Sequence, residues 1–279
     1  MSDKWGDPMN EIILTPKEQP LVPIEINNII PDVLAGKSID DIKNMGIWHG
    51  NSQVRLHEFF DVEGESSENP AEIKITIDGD VYNTKRIGQG MTAGEILVKG
   101  NANMYVGVEM KGGKITVEGN VGSWAGQNMS GGELTILGDA EDYVGSAYRG
   151  DWRGMSGGLL TVHGNVGSEI AEYMLGGKIV IKGNTSIEPG VHMNGGLLII
   201  EGNVVARAGG EMKSGTIIIK GVVNEFLPGF KYHGVEKDIE VEGELIKGAF
   251  YKFEGDYATK GAKGFVYVSV AGNNHIAPY

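Results

Sequence analysis

Seven methionines recur at nearly constant intervals through the middle of the chain. The intervals are 19, 19, 26, 19, 19 and 19 residues, and the methionines are Met91, Met110, Met129, Met155, Met174, Met193 and Met212. Each is followed within three residues by glycine, then by two apolar residues that flank one outward position. Such a fixed period indicates one structural unit stacked on copies of itself, so it constrains the fold more than any other feature.

Each repeat contains a short strand with one buried face. In the first complete repeat Ile115 and Val117 flank Thr116, and this alternation is typical of a half-buried strand. A glycine follows two residues later, and an Asn or Asp comes next in every repeat except the last, where Val222 stands. Gly-Asn at a strand end is typical of a tight turn, where it supplies either a positive φ or a side chain that bonds its own backbone, and stacked Asn side chains could also bond between repeats.

The repeat predicts an all-β fold. Nineteen residues with two or three short strands are too few for a strand–helix–strand unit, which needs about 30. We therefore predict a right-handed parallel β-helix in which coils pair at about 4.8 Å. The seven methionines would form an internal stack, because flexible thioethers fill irregular gaps. Imperfect copies at residues 75–80 and 239–243 extend the solenoid to about nine coils.

These features divide the chain into three parts. Residues 1–70 lack the repeat and are expected to form a capping and docking segment, because an open β-helix end exposes unpaired strand edges. Residues 71–249 form the predicted β-helix, which carries a loop insertion at residues 148–154. Residues 250–279 form a C-terminal tail without a further repeat.

The two flanking parts contain a few local signals. Residues 11–14 are predicted to be extended, and residues 265–270 in the tail resemble a strand. Ser38 resembles the N-cap of a short helix that ends near Met45, because an acidic residue follows three positions later.

The composition excludes several classes of function. The formal net charge of −13 and the pI near 4.9 disfavour a nucleic-acid or anionic-membrane surface. No apolar run approaches the ~18 residues that span a bilayer, and residues 1–10 show no signal-peptide core, so a cytoplasmic location is expected. The chain has no cysteine, which excludes disulfides, cysteine zinc sites and thiolate-held iron–sulfur clusters within it.

The sequence predicts no catalytic, cofactor-binding or metal-binding residues. The six histidines do not fall in one column of the repeat, whereas a metal site needs ligands that converge. Neither a nucleophile elbow nor a P-loop nor a zincin motif occurs. The outward positions mix Lys, Glu, Thr and Leu without an acidic cluster, which disfavours a free-standing β-helix enzyme acting on polysaccharides.

The single break in the period is the first candidate for partner contact. Seven extra residues follow Ala147, and insertions in solenoids leave as surface loops, often on the binding face. Aromatic residues and arginine are enriched in interface hot spots. The predicted interface residues of this loop are Tyr148, Arg149, Asp151, Trp152 and Arg153. The alternative is a structural loop in which Asp151 pairs with an arginine and Trp152 covers the solenoid.

Two outward columns are unexpectedly apolar, and we include both in the predicted partner interface. Tyr105, Trp124 and Tyr143 occupy one position in successive repeats and would form an exposed aromatic ladder, unless residues 1–70 fold back over it. The second column lies on the first strand of the later repeats and consists of Val180, Ile199 and Ile218. Either the tail of the chain or another subunit must cover this second column.

The repeat M-x-G-G-x-I-x-V-x-G-N resembles the C-terminal β-helix domain of the glutamate synthase large subunit. A closer resemblance, spanning most of the chain, is to the C subunits of formylmethanofuran dehydrogenase, the molybdenum- or tungsten-dependent enzyme of methanogenic archaea. It includes the sequence IWHGN at residues 47–51 and GDWRGM at residues 150–155. The resemblance implies a complex that reduces CO2 and forms formylmethanofuran. It also implies that a molybdo- or tungstopterin, iron–sulfur clusters and a dinuclear metal site lie in other subunits.

We therefore expect a non-catalytic scaffold in a hetero-oligomer, where the β-helix docks the catalytic and electron-transfer subunits of that enzyme. A structural domain of the glutamate synthase type is the second interpretation, and a free-standing carbohydrate-active enzyme is the third. The choice between molybdenum and tungsten, the face that each partner takes, the stoichiometry and the role of the loop stay open at this point.

Overall fold

The computed structural model describes residues 10–276, which are nearly all β. Residues 1–9 and residues 277–279 lie outside the described part. The expectation that residues 1–10 contain no signal-peptide core therefore falls almost entirely outside it. The elements before the repeats are strands β1 (Asn10–Pro16), β2 (Ile24–Glu25), β3 (Gly46–His49), β4 (Ser52–Arg55), β5 (Phe60–Gly64), β6 (Ile73–Ile77) and β7 (Thr84–Lys85), helices α1 (Pro31–Leu34), α2 (Ile39–Lys43) and α3 (Leu56–Phe59), and a 3-10 helix at Pro70–Glu72.

The N-terminal elements stand at one end of the large sheet. β1 pairs in parallel with β6 and antiparallel with β5, which confirms the predicted strand at residues 11–14. β2, β3, β4 and β7 form a separate small sheet. Ser38 caps α2 as predicted, since its hydroxyl accepts the Asp41 N–H at 3.1 Å and the Asp41 carboxylate accepts the Ser38 N–H at 3.3 Å. The helix ends at Lys43, shortly before the expected Met45.

The repeats contribute the parallel core of the large sheet. Their strands are β8 (Glu95–Val98), β9 (Lys111–Val117), β10 (Ser130–Ile136), β11 (Ser156–Val162), β12 (Gly176–Ile181), β13 (Thr185–Ile187), β14 (Asn194–Ile200), β15 (Val204–Ala206), β16 (Ser214–Ile219) and β17 (Val223–Glu225). Parallel pairing runs from β6 through β8, β9, β10, β11, β12 and β14 to β16. It aligns Ile115 with Leu134 and Leu134 with Leu160, so the insertion leaves the register intact.

A second parallel sheet encloses the core from another side. β13, β15 and β17 pair in parallel, and single parallel bridges continue this ladder through the earlier repeats. The bridges join Val81, Ala102, Val121, Ala140, Val166 and Thr185 in that order. Between the sheets, all seven repeat methionines are fully buried. The Met174 methyl lies 2.7 Å from where a Cβ on Gly196 would stand, and glycine is required there because its φ is 77° and the Gly177 carbonyl oxygen lies 2.9 Å from the same point.

The Gly-Asn pairs form a hydrogen-bonded ladder between repeats. The Gly202 N–H donates to the Gly183 carbonyl at 3.1 Å, and the Asn203 N–H donates to Asn184 Oδ1 at 2.8 Å. Gly202 has no positive φ, so the positive-φ explanation for this glycine is wrong; a Cβ there would lie 2.2 Å from the Gly183 carbonyl oxygen. No hydrogen bond from the preceding repeat is lost where Val222 replaces the asparagine, because the Val222 N–H still donates to Asn203 Oδ1 at 2.8 Å.

The expected downstream coil at residues 239–243 is wrong. The C-terminal elements are β18 (Lys231–Val241), β19 (Glu244–Gly255), β20 (Gly264–Ser269) and a 3-10 helix at Asn274–Ile276. β18 and β19 form an antiparallel hairpin, and both Glu242 and Gly243 at its turn have positive φ, as hairpin turns require. The next parallel rung is β20, which aligns Val266 with Ile217 and confirms the predicted strand in the tail.

The same hairpin covers the apolar outward column of the later repeats. Ile199 is 5% exposed and Ile218 is 0% exposed, and both pack in a second hydrophobic cluster with hairpin side chains. The hairpin members of this cluster are Ile239, Ile246 and Phe250. The prediction that Ile199 and Ile218 contact a partner is therefore wrong, because the chain buries them itself. Val180 lies half-buried in a groove at the margin of the hairpin.

Asn273 closes the column of repeats at the C-terminal end. Its buried side chain accepts the Val223 N–H at 2.9 Å and donates to the carbonyls of Gly221 at 3.0 Å and Ser269 at 2.9 Å. The single side-chain amide of Asn273 thus bonds backbone groups on both sides of Val222 and at the end of β20. This agrees with the rule that buried polar groups are hydrogen-bonded.

Candidate partner-docking surface

Three aromatic rings from successive repeats stack on one another. The ring centroids of Tyr105 and Trp124 are 5.5 Å apart at an interplanar angle of 16°, and those of Trp124 and Tyr143 are 4.6 Å apart at 9°. This spacing follows from the repeat, since neighbouring strands lie about 4.8 Å apart. The Arg86 guanidinium lies 4.8 Å from the Tyr105 ring centroid, and the Arg149 guanidinium lies 5.7 Å from that of Tyr143. We call these three half-buried rings the aromatic stack.

The stack projects from a backbone corner. Tyr105, Trp124 and Tyr143 have φ values of 66°, 62° and 64°, in the left-handed region that costs a non-glycine residue about 1–2 kcal/mol. Glu169 and Glu188 occupy the same corner in the following repeats, at 55° and 59°. The outward direction of these side chains therefore comes from a backbone corner and not from the alternation of a strand. Strain repeated at each coil holds these side chains in one line.

The insertion loop folds back onto the aromatic stack. Arg149 Nη2 donates to the Tyr143 hydroxyl at 3.4 Å while its guanidinium lies over the rings. Asp151 Oδ1 accepts the Trp152 N–H at 2.8 Å and Arg153 Nε at 3.2 Å. The hydrogen bond from Arg153 holds the pKa of Asp151 below its ordinary value. The loop is therefore ordered by its own charged groups.

The two aromatic side chains of the loop stand in solvent. Trp152 is 71% exposed and Tyr148 is 53% exposed. The structural alternative is right that Asp151 pairs with an arginine, but it is wrong that Trp152 covers the solenoid. Within residues 10–70, Glu25 reaches the first step of the stack through an ion pair of 3.1 Å with Arg86.

A cleft of about 290 Å³ separates the loop from the next repeat. Tyr148 and Trp152 stand on the loop side, and Glu169, Glu172 and Tyr173 stand on the repeat side. Aromatic side chains thus line both walls, the repeat wall carries two carboxylates, and the loop wall also carries Arg149 and Asp151.

Glu172 is the one unpaired carboxylate of this wall. Burial raises its pKa, and the nearby charges of Glu169 and Glu188 raise it further. Glu169 accepts the Tyr143 hydroxyl at 3.2 Å, and Glu188 pairs with Arg207 at 3.1 Å. Only burial and charges at a distance act on Glu172, since no hydrogen bond to its carboxylate contributes. The charge of Arg149 lowers the pKa of Glu172 and so opposes part of this increase, but Arg149 donates its hydrogen bond to Tyr143, so the free chain carries a half-buried acid without a bonded counter-charge.

Among residues 10–276, no three His, Asp or Glu side chains converge in a way that could hold a metal ion. Without cysteine, the chain offers no ligand set for the iron–sulfur clusters that the family resemblance implies, so they do not fit here. In the same part of the chain, no helix has the length and apolar character needed to cross a bilayer. The cytoplasmic location stays a prediction.

Comparison with known proteins decides between the two family resemblances. The chain is 74% identical over 270 residues to the C subunit of the tungsten-containing formylmethanofuran dehydrogenase 2 of Methanothermobacter thermautotrophicus, covering 97% of this chain and 100% of that protein. The chain belongs to the family of formylmethanofuran dehydrogenase C subunits. Another member, from Methanococcus maripaludis, is 56% identical over 274 residues, covering 96% of this chain and 100% of that protein. No family model matches the chain.

Two further likenesses cover different shares of the chain. The corresponding protein of the molybdenum-containing formylmethanofuran dehydrogenase 1 of Methanosarcina barkeri is 44% identical over 98 residues, which is 35% of this chain and 33% of that protein. A chain of the formyltransferase/hydrolase complex FhcABCD from Methylorubrum extorquens, solved with methylofuran, superposes with a TM-score of 0.80. It shares 24% identity and covers 92% of this chain and 99% of that chain. At that identity the likeness supports the fold alone.

The structure brings together some of the sequence-predicted interface and separates the rest. The aromatic stack and the loop residues form one surface, whereas Val180, Ile199 and Ile218 lie on the large sheet under and beside the hairpin. Sequence reasoning about this C subunit missed Glu172 and Tyr173. A signal existed, because Tyr173 and His192 each directly precede a repeat methionine, and their rings stack at 4.6 Å.

Proposed function

We propose that this chain is a non-catalytic scaffold subunit of a formylmethanofuran dehydrogenase complex of the tungsten-containing type. Its full-length likeness to C subunits with that description supports the assignment. As the resemblance implies, the complex reduces CO2 and forms formylmethanofuran. The tungstopterin, the iron–sulfur clusters and the dinuclear metal site would lie in the partner subunits, which this chain would hold in place.

We propose further that the parallel rungs wind as a right-handed β-helix. Two parallel sheets are built from successive strands of the same repeats, and connections between parallel strands are right-handed in about 98% of known cases. The Gly-Asn ladder and the buried methionine column make this solenoid rigid along its length. A rigid column suits a scaffold, because it presents a surface that loses little conformational entropy when a partner binds.

The exposure of Trp152 on an ordered loop is the observation that carries the docking proposal. The indole is 71% exposed, although Arg149 anchors the loop on Tyr143 and the Asp151 carboxylate accepts the Trp152 N–H and Arg153 Nε. A pre-ordered, exposed tryptophan beside arginine is the composition of an interface hot spot. The aromatic stack lies directly behind the loop and supports it from the solenoid. We place the partner contact on this surface.

Co-purification of the assembled complex tests the docking surface. A double substitution of Trp152→Ala and Arg153→Ala should weaken retention of the partner subunits by about 30-fold or more, the effect of losing a hot spot of ~2 kcal/mol. The matched control is Tyr257→Ala with Lys260→Ala, which removes another exposed aromatic and cation on the C-terminal segment. If both double variants retain partners equally well, the loop has a structural role and does not dock a partner.

The isolated full-length chain tests the scaffold assignment. Expressed alone, it should show a strand-rich circular dichroism spectrum and no formylmethanofuran dehydrogenase turnover. Turnover by the purified chain without its partners would contradict the non-catalytic role.

A further inference from the structure

We propose that the cleft beside the insertion loop binds a guanidinium group, presented as an arginine side chain by a partner subunit. The inference rests on the proposed docking role of the loop and names the chemistry of the group that docks there.

The aromatic walls of the cleft suit a flat cation. Tyr148 and Trp152 present exposed rings from the loop, and Tyr173 presents a ring from the repeat. Tyr173 is held in place by stacking on His192 and by a φ of 54°. Guanidinium groups stack on aromatic faces and are weakly hydrated, so they lose little on entering such a site. The chain already uses this pairing where Arg86 lies over Tyr105.

The carboxylates that line the cleft favour a cation as its occupant. Glu169 and Glu188 have partners within the chain, and Asp151 is paired with Arg153, but Glu172 has none. Its half-buried position makes an unpaired negative charge unfavourable in the free chain. An incoming cation would supply the missing counter-charge in a place partly shielded from water. This interaction is gained only on binding.

Other occupants fit the cleft less well. An anion would face three carboxylates against the single lining cation Arg149; the carboxylates are those of Asp151, Glu169 and Glu172. An apolar side chain would bury Glu172 further without a partner, which costs about 1–3 kcal/mol or more. A lysine ammonium is the remaining choice, but it is compact and strongly hydrated. A planar guanidinium can lie on a ring and donate to a carboxylate at the same time.

Titration of the isolated full-length chain tests the chemistry directly. N-acetyl-arginine amide should shift the indole N–H resonance of Trp152, assigned with Trp152→Phe, in a saturable way. The neutral isostere N-acetyl-citrulline amide should bind about 10-fold or more weakly, and N-acetyl-lysine amide should fall between them. Glu172→Gln should abolish the preference for arginine, whereas the exposed control Glu118→Gln should retain it. An equal response to arginine and citrulline would overturn the proposal.

Assembly of the complex separates this inference from the docking role itself. Glu172→Gln should weaken retention of partner subunits by about 10-fold to 100-fold, the range for loss of a hydrogen bond to a charged group. The Trp152 and Arg153 double variant removes an aromatic wall of the cleft and the ion-pair partner of Asp151, so it tests docking by the whole loop, whereas Glu172→Gln removes one charge and leaves the loop intact. If that double variant loses its partners while Glu172→Gln keeps them, the loop docks without a cation and the inference fails. If neither variant loses partners, the proposed docking role of the loop is wrong, and so is the proposal that the cleft binds an arginine of a partner subunit.

Discussion

Replacing Gly202 with alanine should test why the repeat requires glycine before asparagine. A Cβ at this position would lie 2.2 Å from the Gly183 carbonyl oxygen, whereas ordinary contact begins near 3.4 Å. The rungs would therefore have to separate locally by about 1.2 Å, a large fraction of the ~4.8 Å between strands. Gly202 itself has no positive φ, so the close approach of two repeats is the only obstacle.

The expected loss of stability follows from the contacts that the separation would break. The bonds from Gly202 N to Gly183 O, at 3.1 Å, and from Asn203 N to Asn184 Oδ1, at 2.8 Å, would both lengthen. Each contributes about 1 kcal/mol, and the strain of overpacking adds about 1–3 kcal/mol. We expect Gly202→Ala to lower the free energy of unfolding by about 3–5 kcal/mol.

Urea denaturation followed by circular dichroism measures the free energy of unfolding of Gly202→Ala and of the unsubstituted chain, with Gly90→Ala as the matched control. Gly90 has a φ of 68° but no atom within 4 Å of its Cβ position, so its substitution meets only backbone strain of about 1–2 kcal/mol. If Gly202→Ala shifts the midpoint no further than Gly90→Ala does, close approach between repeats is not the reason for the glycine.

Three further substitutions test the core, the cleft and the hairpin. Met174→Ala should lower the free energy of unfolding by about 2–5 kcal/mol in urea denaturation, because it leaves a cavity in the methionine column, while Met174→Leu should cost less than about 1.5 kcal/mol; equal costs would show that the column tolerates a cavity. Glu172→Gln should raise the melting temperature of the isolated chain at neutral pH. Folding raises the Glu172 pKa above its ordinary 4.5, so the charged form is destabilising once the pH exceeds that value. The gain should vanish as the pH falls below 4.5, and a gain that persists there would refute the charge explanation. Ile246→Asp should increase binding of a hydrophobic dye, since the hairpin would no longer cover Ile199 and Ile218, and unchanged dye binding would contradict that cover.

Much of the fold was predictable because its pattern repeats. The period, the inward apolar columns and the location of the insertion all follow from residues that recur in register, as at Ile115 and Leu134. Each copy reinforces the same interpretation, and burial of one strand face is a local property that alternation reports directly. The capping box at Ser38 was readable for the same reason, since its partner lies three residues away.

The candidate site was predictable only in part. Stacking of Tyr105 with Trp124 follows from the period, and the loop was visible as a break in that period. The cleft could not be predicted from the sequence. Its distinctive residue, Glu172, differs from Glu169 and Glu188 only in that its carboxylate has no hydrogen-bonded partner. That difference depends on where Arg149 and Arg207 point, and no spacing in the sequence encodes it.

The sequence by itself determined the repeating unit, the faces that it buries and the absence of thiolate chemistry. Tertiary structure decided that residues 239–241 pair antiparallel with β19, that β20 supplies the last parallel rung, and that the hairpin covers Ile218. It also decided that Trp152 stays in solvent. The physical reason is common to these cases: an alternating pattern reports that one face of a strand is buried, but it carries no information about the direction or identity of the neighbour. Those depend on packing between segments far apart in the chain.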